Sequence, residues 1–501
     1  MNERHPEMNN TALSYKELTA QWNAIDWPRV ENSVNNLQGR IARAAKEENW
    51  SDVSRLTRLL TRSYYARLLA VRQVTSNKGK ATPGIDNTVW MTPAEKMQGA
   101  LNLTIRGYRA EPLVRTFIPK KNGKLRPLSI PTIRDRAMQA LFNMALAPIE
   151  YVTGDRSSFG FRKGRSQHDA CNQIRICLSR RCSAPWVLEA DIRACFDMIS
   201  HDWLLENIPM KKSILKQFLK AGFMEGSQLL PTDSGTPQGG VLSPTLANMA
   251  LNGLERVLGM TFYSTKSGRI TKAKNPHKVN LIRYADDMII TADTKETAEN
   301  IKQILIEFLE IRGLELSEEK TLITHISEGF SFLGWTFRKF GDKFKAQPSK
   351  ESVQSIIDKV HKIFRKGRSW TQDGIIREIN SILRGWSNYH SIVSVSRTFS
   401  KIDNTIFNMC YAWAKRRHPK ESRTKVVRKY WYQIGSRKWV FSTESQELFS
   451  LSKVKCRTYC MVQLDKNPYI DIDYFEKRSQ KTTPRRRLSR NFSSLPVAHV
   501  G

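Results

Sequence analysis

Apolar positions recur at helical spacing early in the chain. Leu56, Leu59, Leu60, Tyr64, Leu68 and Val71 share one face, which predicts helix from Val34 to about Val74, with Ser51 as a cap. Residues 1–33 are polar and expected to be loosely ordered. Asn77-Lys78-Gly79-Lys80 and Thr82-Pro83-Gly84 break the pattern and set a boundary near 80. Strands and helices then mix to about 345. Phe117 to Ile130 reads as a hairpin with an Asn122-Gly123 turn, and Trp186–Ile192 as a short strand containing Asp191. Leu281-Ile282-Arg283 and Met288-Ile289-Ile290 flank a second hairpin. Thr297–Ile311 is expected to be helical, with Asp293 and Glu296 as a capping box and Gly313 as the stop. After 348 two amphipathic helices follow. One has the stripe Val353, Ile356, Ile357, Val360, Ile363, Phe364; the other has Ile375, Ile376, Ile379, Ile382, Leu383, Trp386.

A chain of 501 residues is too long for one ordinary domain, so two to four are expected. Its charge narrows the partners. There are 81 Lys and Arg against 47 Asp and Glu, a formal +34, which calls for a polyanion such as nucleic acid. Lys350, Lys359, Lys362, Arg365 and Lys366 decorate the first late helix, and residues 411–438 hold ten Lys/Arg and one acid among Tyr411, Trp413, Tyr430, Trp431 and Tyr432. The tail around Arg485-Arg486-Arg487 is basic and expected to be disordered. No apolar run approaches membrane-spanning length, and the N-terminus lacks the basic and apolar regions of a secretory signal. Seven scattered cysteines without a CxxC pair support neither a disulfide framework nor a zinc site.

The candidate chemistry sits at the second hairpin, in Tyr284-Ala285-Asp286-Asp287. Neighbouring strand residues face opposite ways, but a tight turn can bring both carboxylates to one rim. Two bare carboxylates about 4 Å apart repel by roughly 4 kcal/mol at an effective dielectric near 20, so a hard cation such as Mg²⁺ is their natural partner. Asp191 would add a third acid. Such a set suits a nucleotidyl transfer in which one metal activates a 3′-hydroxyl and a second, about 3.5–4 Å away, holds the triphosphate and leaving group. Taken singly, Asp-Asp fits a solvated turn and Asp191 a strand-end acid.

The blocks together resemble those of reverse transcriptases, in the same order. They are Asp191-Ile192 with Cys195-Phe196-Asp197; Gly235-Thr236-Pro237-Gln238-Gly239-Gly240 with Ser243-Pro244; Tyr284-Ala285-Asp286-Asp287; and Phe332-Leu333-Gly334-Trp335. Thr82-Pro83-Gly84-Ile85-Asp86, Ile118-Pro119-Lys120 with Arg126-Pro127-Leu128, and Ser158-Phe159-Gly160-Phe161-Arg162 agree. Ile382–His390 and Trp413–Pro419 resemble domain X, the maturase domain of group II intron proteins. The resemblance spans about 35–480. It implies an α+β right-hand polymerase: an N-terminal helical extension (1–80), fingers and palm (81–345), a helical thumb and domain X (346–440), and a basic C-terminal DNA-binding region and tail (441–501). By the same resemblance Asp191, Asp286 and Asp287, with the Ile192 carbonyl, hold two Mg²⁺ ions. Lys120 and Arg126 take the triphosphate, Gln238 contacts the dNTP, and Phe196 is the gate against a ribose 2′-hydroxyl. Phe332, Leu333, Gly334 and Trp335 form the primer grip. Arg384, Tyr389, Lys415, Arg416 and Arg417 are the expected RNA contacts.

The implied function is RNA-directed DNA synthesis joined to maturase activity: binding of the group II intron RNA to assist splicing, and its copying into cDNA during mobility. The partners are intron RNA, template RNA, primer or target DNA, and dNTPs, with no membrane; the oligomeric state is open, a dimer among the options. The setting is a cytoplasmic, nucleoid-associated ribonucleoprotein of a bacterium, or an organelle. Two alternatives stand beside this: a domesticated splicing factor without polymerase activity, and another bacterial reverse transcriptase. Three positions depart from the family pattern, with Asn87, Ser129 and Ala194 standing where Gly is common. The histidines and paired cysteines of an HNH endonuclease are not found before Gly501, so second-strand nicking is not expected.

Overall fold

The computed structural model describes residues 13–119, 123, 125–226, 228–265, 270–273, 275–482 and 498–499. Helices begin earlier than polarity suggested. α1 (Tyr15–Asn23) and α2 (Trp27–Lys46) occupy much of the stretch expected to be loose. α1 starts from a Ser14/Glu17 capping box and buries Leu18 and Trp22, enough to hold a short polar helix down. The expected single helical run is three helices, α2, α3 (Trp50–Arg62) and α4 (Tyr64–Thr75). The cap of α3 is Asn49, whose side chain accepts from the Asp52 amide at 3.1 Å; Ser51 lies inside the helix.

After α5 (Pro93–Asn102), β1 (Leu113–Pro119) and β2 (Leu125–Ile130) form the expected hairpin, in register from Val114↔Ile130 to Pro119↔Leu125. α6 (Ile133–Thr153) is buried nearly all round, against α2, α3 and α4. α7 (Gln167–Leu178) leads to β3 (Trp186–Asp191). Then come α8 (Cys195–Met198), α9 (His201–Asn207), α10 (Lys212–Leu219), β4 (Phe223–Glu225) and β5 (Gln228–Leu230). α11 (Ser243–Leu251) and α12 (Leu254–Val257) precede the pair β6 (Phe262–Ser264) and β7 (Ile270–Lys272). β8 (Asn280–Tyr284) and β9 (Asp287–Ala292) make the acidic hairpin. α13 (Lys295–Glu310) is capped by Thr294 rather than by the expected Asp293/Glu296 box, and Gly313 (φ +70°) follows its end.

With β10 (Leu322–His325), the central sheet has the antiparallel order β10-β3-β9-β8. Strand alternation sends Leu188, Ala190, Met288 and Ile290 into one core, shared with α6 and the N-terminal helices. Val187, Ile282 and Ile289 enter a second core, shared with the C-terminal half. A sheet covered on both faces is a rigid base for a site at its end. β1, β2, β4 and β5 form a separate four-stranded sheet, ordered β2-β1-β4-β5.

β11 (Phe330–Phe332), β12 (Trp335–Phe340) and β13 (Lys343–Pro348) form a meander leading into α14 (Lys350–Lys366). α14 buries Ile356, Val360 and Phe364 and exposes all five expected cations. α15 (Gln372–His390), α16 (Ser396–Arg417) and α17 (Arg423–Tyr430) continue the bundle, followed by the hairpin β14 (Trp431–Ile434) and β15 (Arg437–Phe441). The division expected at 440/441 falls inside β15, so the last two segments do not part there. Trp413 and Trp431, aromatics within the basic stretch 411–438, are core residues at 4 % and 0 % exposure. Residues 455–482, ending in α18 (Ile472–Thr482), run back to α7 and to the N-terminal helices: Val462 binds Asp169, and Tyr469 packs beside Ala42 and Tyr151. The short β16 (Ala498–His499) pairs with β14. The Arg485–Arg487 tail lies outside the described residues. Among the described residues no helix is long and apolar enough to cross a membrane.

Candidate active site

The hairpin tip is a two-residue turn. Tyr284 pairs with Asp287, leaving Ala285 (φ +59°) and Asp286 between the strands. On the other side of β9, Asp191 pairs directly with Asp287. One strand register thus assembles three acids from positions almost a hundred residues apart.

The turn is braced from beneath. Arg283 is fully buried and donates to Asn248 (3.3 Å), to Asn252 (2.7 Å) and to the Ala285 carbonyl (3.4 Å). Segment 157–160 lies alongside β8, with Phe159 N–H on the Arg283 carbonyl at 2.8 Å. A Cβ on Gly160 would stand 2.4 Å from the Ala285 nitrogen, so only glycine allows this approach. Neither Arg283 nor Asn248 had been singled out from the sequence. An Arg in an apolar strand next to the acids is the signal that could have found the first.

The electrostatics are those of crowded acids. Burial comes first, then repulsion from Asp286 and Asp191 and a hydrogen bond with Asp191; together they push Asp287 up to about 7. Of these causes, the repulsion is the part a bound cation would relieve. Asp286 is raised by burial and by Asp191, offset in part by Arg126 and Lys320. Arg126 therefore stands close enough to act on the acids, exposed on β2. Lys320, not anticipated, donates to Asp191 at 2.6 Å. That bond, together with the neighbouring acids, raises the Lys320 ammonium. Hard oxygen donors that repel one another fit a divalent cation. Among the described residues, however, no three ligating side chains converge tightly enough to hold an ion as they stand. Ile192 is buried and bridged to Leu316.

Around the acids, Phe196 is half-buried and meets Phe161 edge-on at 6.3 Å. Gln238 donates to Asp197 at 2.9 Å, and its carbonyl accepts from Ser129 at 2.8 Å. The Gly235–Gly240 loop is thereby tied both to α8 and to the fingers strand β2. Asp197 is a positioning group that sequence reasoning left without a role. Lys120 lies outside the described residues.

The expected primer-grip residues form a turn: Phe332 pairs with Trp335, and Leu333 (φ +49°) and Gly334 (φ +79°) make the bend. Three of the expected RNA contacts have partners within the protein. Tyr389 is not a free surface aromatic; its ring stacks on Trp335 at 4.4 Å and its hydroxyl donates to the Leu333 carbonyl at 2.8 Å. Lys415 donates to the Pro419 carbonyl at 3.2 Å and to that of Glu421. Arg417 donates to the Arg368 carbonyl at 3.0 Å and to that of Trp370, and lies over Trp413. These bonds satisfy loop and helix-end carbonyls, and Arg417 remains exposed. Arg384 and Arg416 are exposed.

A twisted antiparallel palm offering carboxylates at one end, with a fingers sheet beside it and a helical thumb after it, defines a right-hand polymerase of the α+β class. Family models agree along the chain. Residues 118–337 match the reverse transcriptase (RNA-dependent DNA polymerase) model, 22–103 the N-terminal domain of reverse transcriptase, and 353–431 the group II intron maturase-specific domain. Group II intron-encoded protein LtrA of Lactococcus lactis subsp. cremoris is 32 % identical over 489 residues, covering 80 % of each chain. Protein YkfC of Escherichia coli is 32 % identical over 60 % of this chain and 87 % of its own. The putative COX1/OXI3 intron 1 protein of Saccharomyces cerevisiae is 25 % identical over 74 % of this chain and 54 % of its own. The chain belongs to the group II intron-encoded reverse transcriptases with maturase function, the family of intron splicing and mobility.

Proposed function

We propose that this protein extends a primer on an RNA template by two-metal nucleotidyl transfer at Asp191, Asp286 and Asp287, and that it binds its own intron RNA for splicing. The observation that carries the catalytic reading is the pairing of Asp191 with Asp287 beside the turn holding Asp286. Bound at these carboxylates, with the Ile192 carbonyl as a further oxygen ligand, two Mg²⁺ ions would activate the primer 3′-hydroxyl and neutralise the triphosphate and leaving pyrophosphate.

The protein's own groups do the rest. Arg126, on the fingers strand, offers a guanidinium fork to the triphosphate oxygens, with Lys120 as its expected companion. Gln238, oriented by Asp197, faces the nucleotide. Phe196 crowds the 2′ position, and its contact with Phe161 limits its retreat. Lys320 holds Asp191 while the acids lack other cations. Cations on α14 track the template–primer backbone through phosphate contacts that position without specifying sequence. Exposed Arg384 and Arg416, with the basic face of α17, offer intron RNA or target DNA the charge it requires.

Incorporation of dTTP on poly(rA)/oligo(dT) with Mg²⁺, wild type beside Asp286→Ala/Asp287→Ala, tests the reading. Wild-type incorporation that the double variant loses, while it still binds intron RNA, is the expected result. A folded, RNA-binding wild type that incorporates nothing would favour the splicing-only alternative.

A further inference from the structure

The turn at 332–335 is conformationally unusual. Its two central residues both have positive φ, the type I′ pattern. Gly334 is at home there, and Leu333 is not, because left-handed backbone is disfavoured for a bulky L-residue. The turn keeps this shape through bonds to its two carbonyls. Ser349, at the start of the thumb, donates its N–H to the Gly334 carbonyl at 2.9 Å. Tyr389 donates its hydroxyl to the Leu333 carbonyl at 2.8 Å, across 56 residues of chain.

Tyr389 is itself immobilised from three directions. Its ring lies flat on Trp335, 4.4 Å between centroids and 7° between planes. Its backbone carbonyl is 2.8 Å from Nε2 of His168, on palm helix α7. The next residue, His390, is 2.9 Å from the Ser352 hydroxyl on α14, which also accepts from the Trp386 indole at 3.2 Å. A maturase-region helix, the thumb and the palm therefore converge on one strained turn.

From this we infer that Tyr389 is a positioning residue for primer extension: by holding the Leu333 carbonyl it fixes the turn on which the primer terminus rests, so that helix α15 sets the alignment of the primer 3′ end. The inference rests on the reading of 332–335 as the primer grip. Tyr389 acts through its bond to the Leu333 carbonyl.

The test is single-nucleotide extension of oligo(dT) on poly(rA) by the full chain, with KM for primer–template and KM for dTTP measured separately. The variants are Tyr389→Phe, Leu333→Gly and the double variant, each shown folded at the assay temperature by its melting curve. Tyr389→Phe keeps the stack and removes one neutral hydrogen bond, so KM for primer–template should rise about fivefold. KM for dTTP should stay within about twofold. Leu333→Gly relaxes the turn; in that background Tyr389→Phe should cost less than about twofold, because the two sites share one interaction. An equal cost in both backgrounds overturns the inference, as does a parallel rise in both KM values. A silent Tyr389→Phe beside a responsive Leu333→Gly also overturns it while leaving the grip reading standing. If no variant moves KM for primer–template, the grip reading itself fails.

Discussion

Residues 455–482 form a C-terminal strap docked on α7, and its stability offers a sharp physical test. Asp169, on α7, is fully buried and gathers five donors: Arg478 at 2.6 Å, the Val462 amide at 2.8 Å, Ser166 through its amide (2.9 Å) and hydroxyl (3.0 Å), and the Tyr459 hydroxyl at 3.3 Å. Three of the five come from residues 455–482. Arg478→Met keeps most of the apolar stem and removes the countercharge. Breaking a buried ion pair costs about 3–5 kcal/mol, because the surviving charge is left uncompensated. Four remaining donors still serve the carboxylate, which puts the expected loss near the lower limit, about 3 kcal/mol. The strap lies toward the C-terminal end of the chain and is held at Asp169, so the loss should appear as local opening. Hydrogen–deuterium exchange of the 456–482 amides should then quicken about a hundredfold, at about 1.4 kcal/mol per factor of ten, with little change in the central sheet. Asp169→Asn/Arg478→Met should recover part of the protection, since it removes the stranded charge. Unchanged exchange in Arg478→Met, or losses that simply add in the double variant, would refute this account.

Two further outcomes follow from local geometry. Phe196→Ala should admit ribonucleotides, raising rUTP incorporation relative to dTTP by about 10–100-fold on the same template; unchanged sugar discrimination would retire the gate assignment. Ala194 is exposed and left-handed (φ +45°, ψ +41°) at the cap of α8. Relief of that strain, about 1–2 kcal/mol, less the roughly 0.5–1 kcal/mol entropy cost of glycine, predicts that Ala194→Gly stabilises by about 0.5–1 kcal/mol in denaturant unfolding. A destabilised variant would show that the Ala methyl does unseen packing.

Much of the site was legible in sequence because it is locally encoded. The acidic hairpin is written in its own residues, two apolar runs around a short turn, and appears where expected. Two of the three expected departures from the family pattern, Asn87 (φ +51°) and Ala194, fall at positive φ, where glycine carries the least strain. The ordered motif blocks carried the family.

What the sequence by itself determined, then, was which short segments fold as strands, turns and helices, which acids they carry, and that the partner is a polyanion. Tertiary structure alone decided which side chains those elements would spend on one another. The same Tyr, Lys or Arg can stack on a base, bind a phosphate or satisfy a carbonyl, and composition cannot separate these uses. Tyr389 and Lys415 went to protein carbonyls, Arg417 bonds carbonyls while staying exposed, and Arg384 and Arg416 are exposed. Helix α1 and the strap were missed for a related reason: their polar sequences fold by docking on distant apolar surface and on Asp169, contacts that no local pattern encodes. Long-range packing, with its demand that every buried polar group find a partner, chose among chemically equivalent side chains.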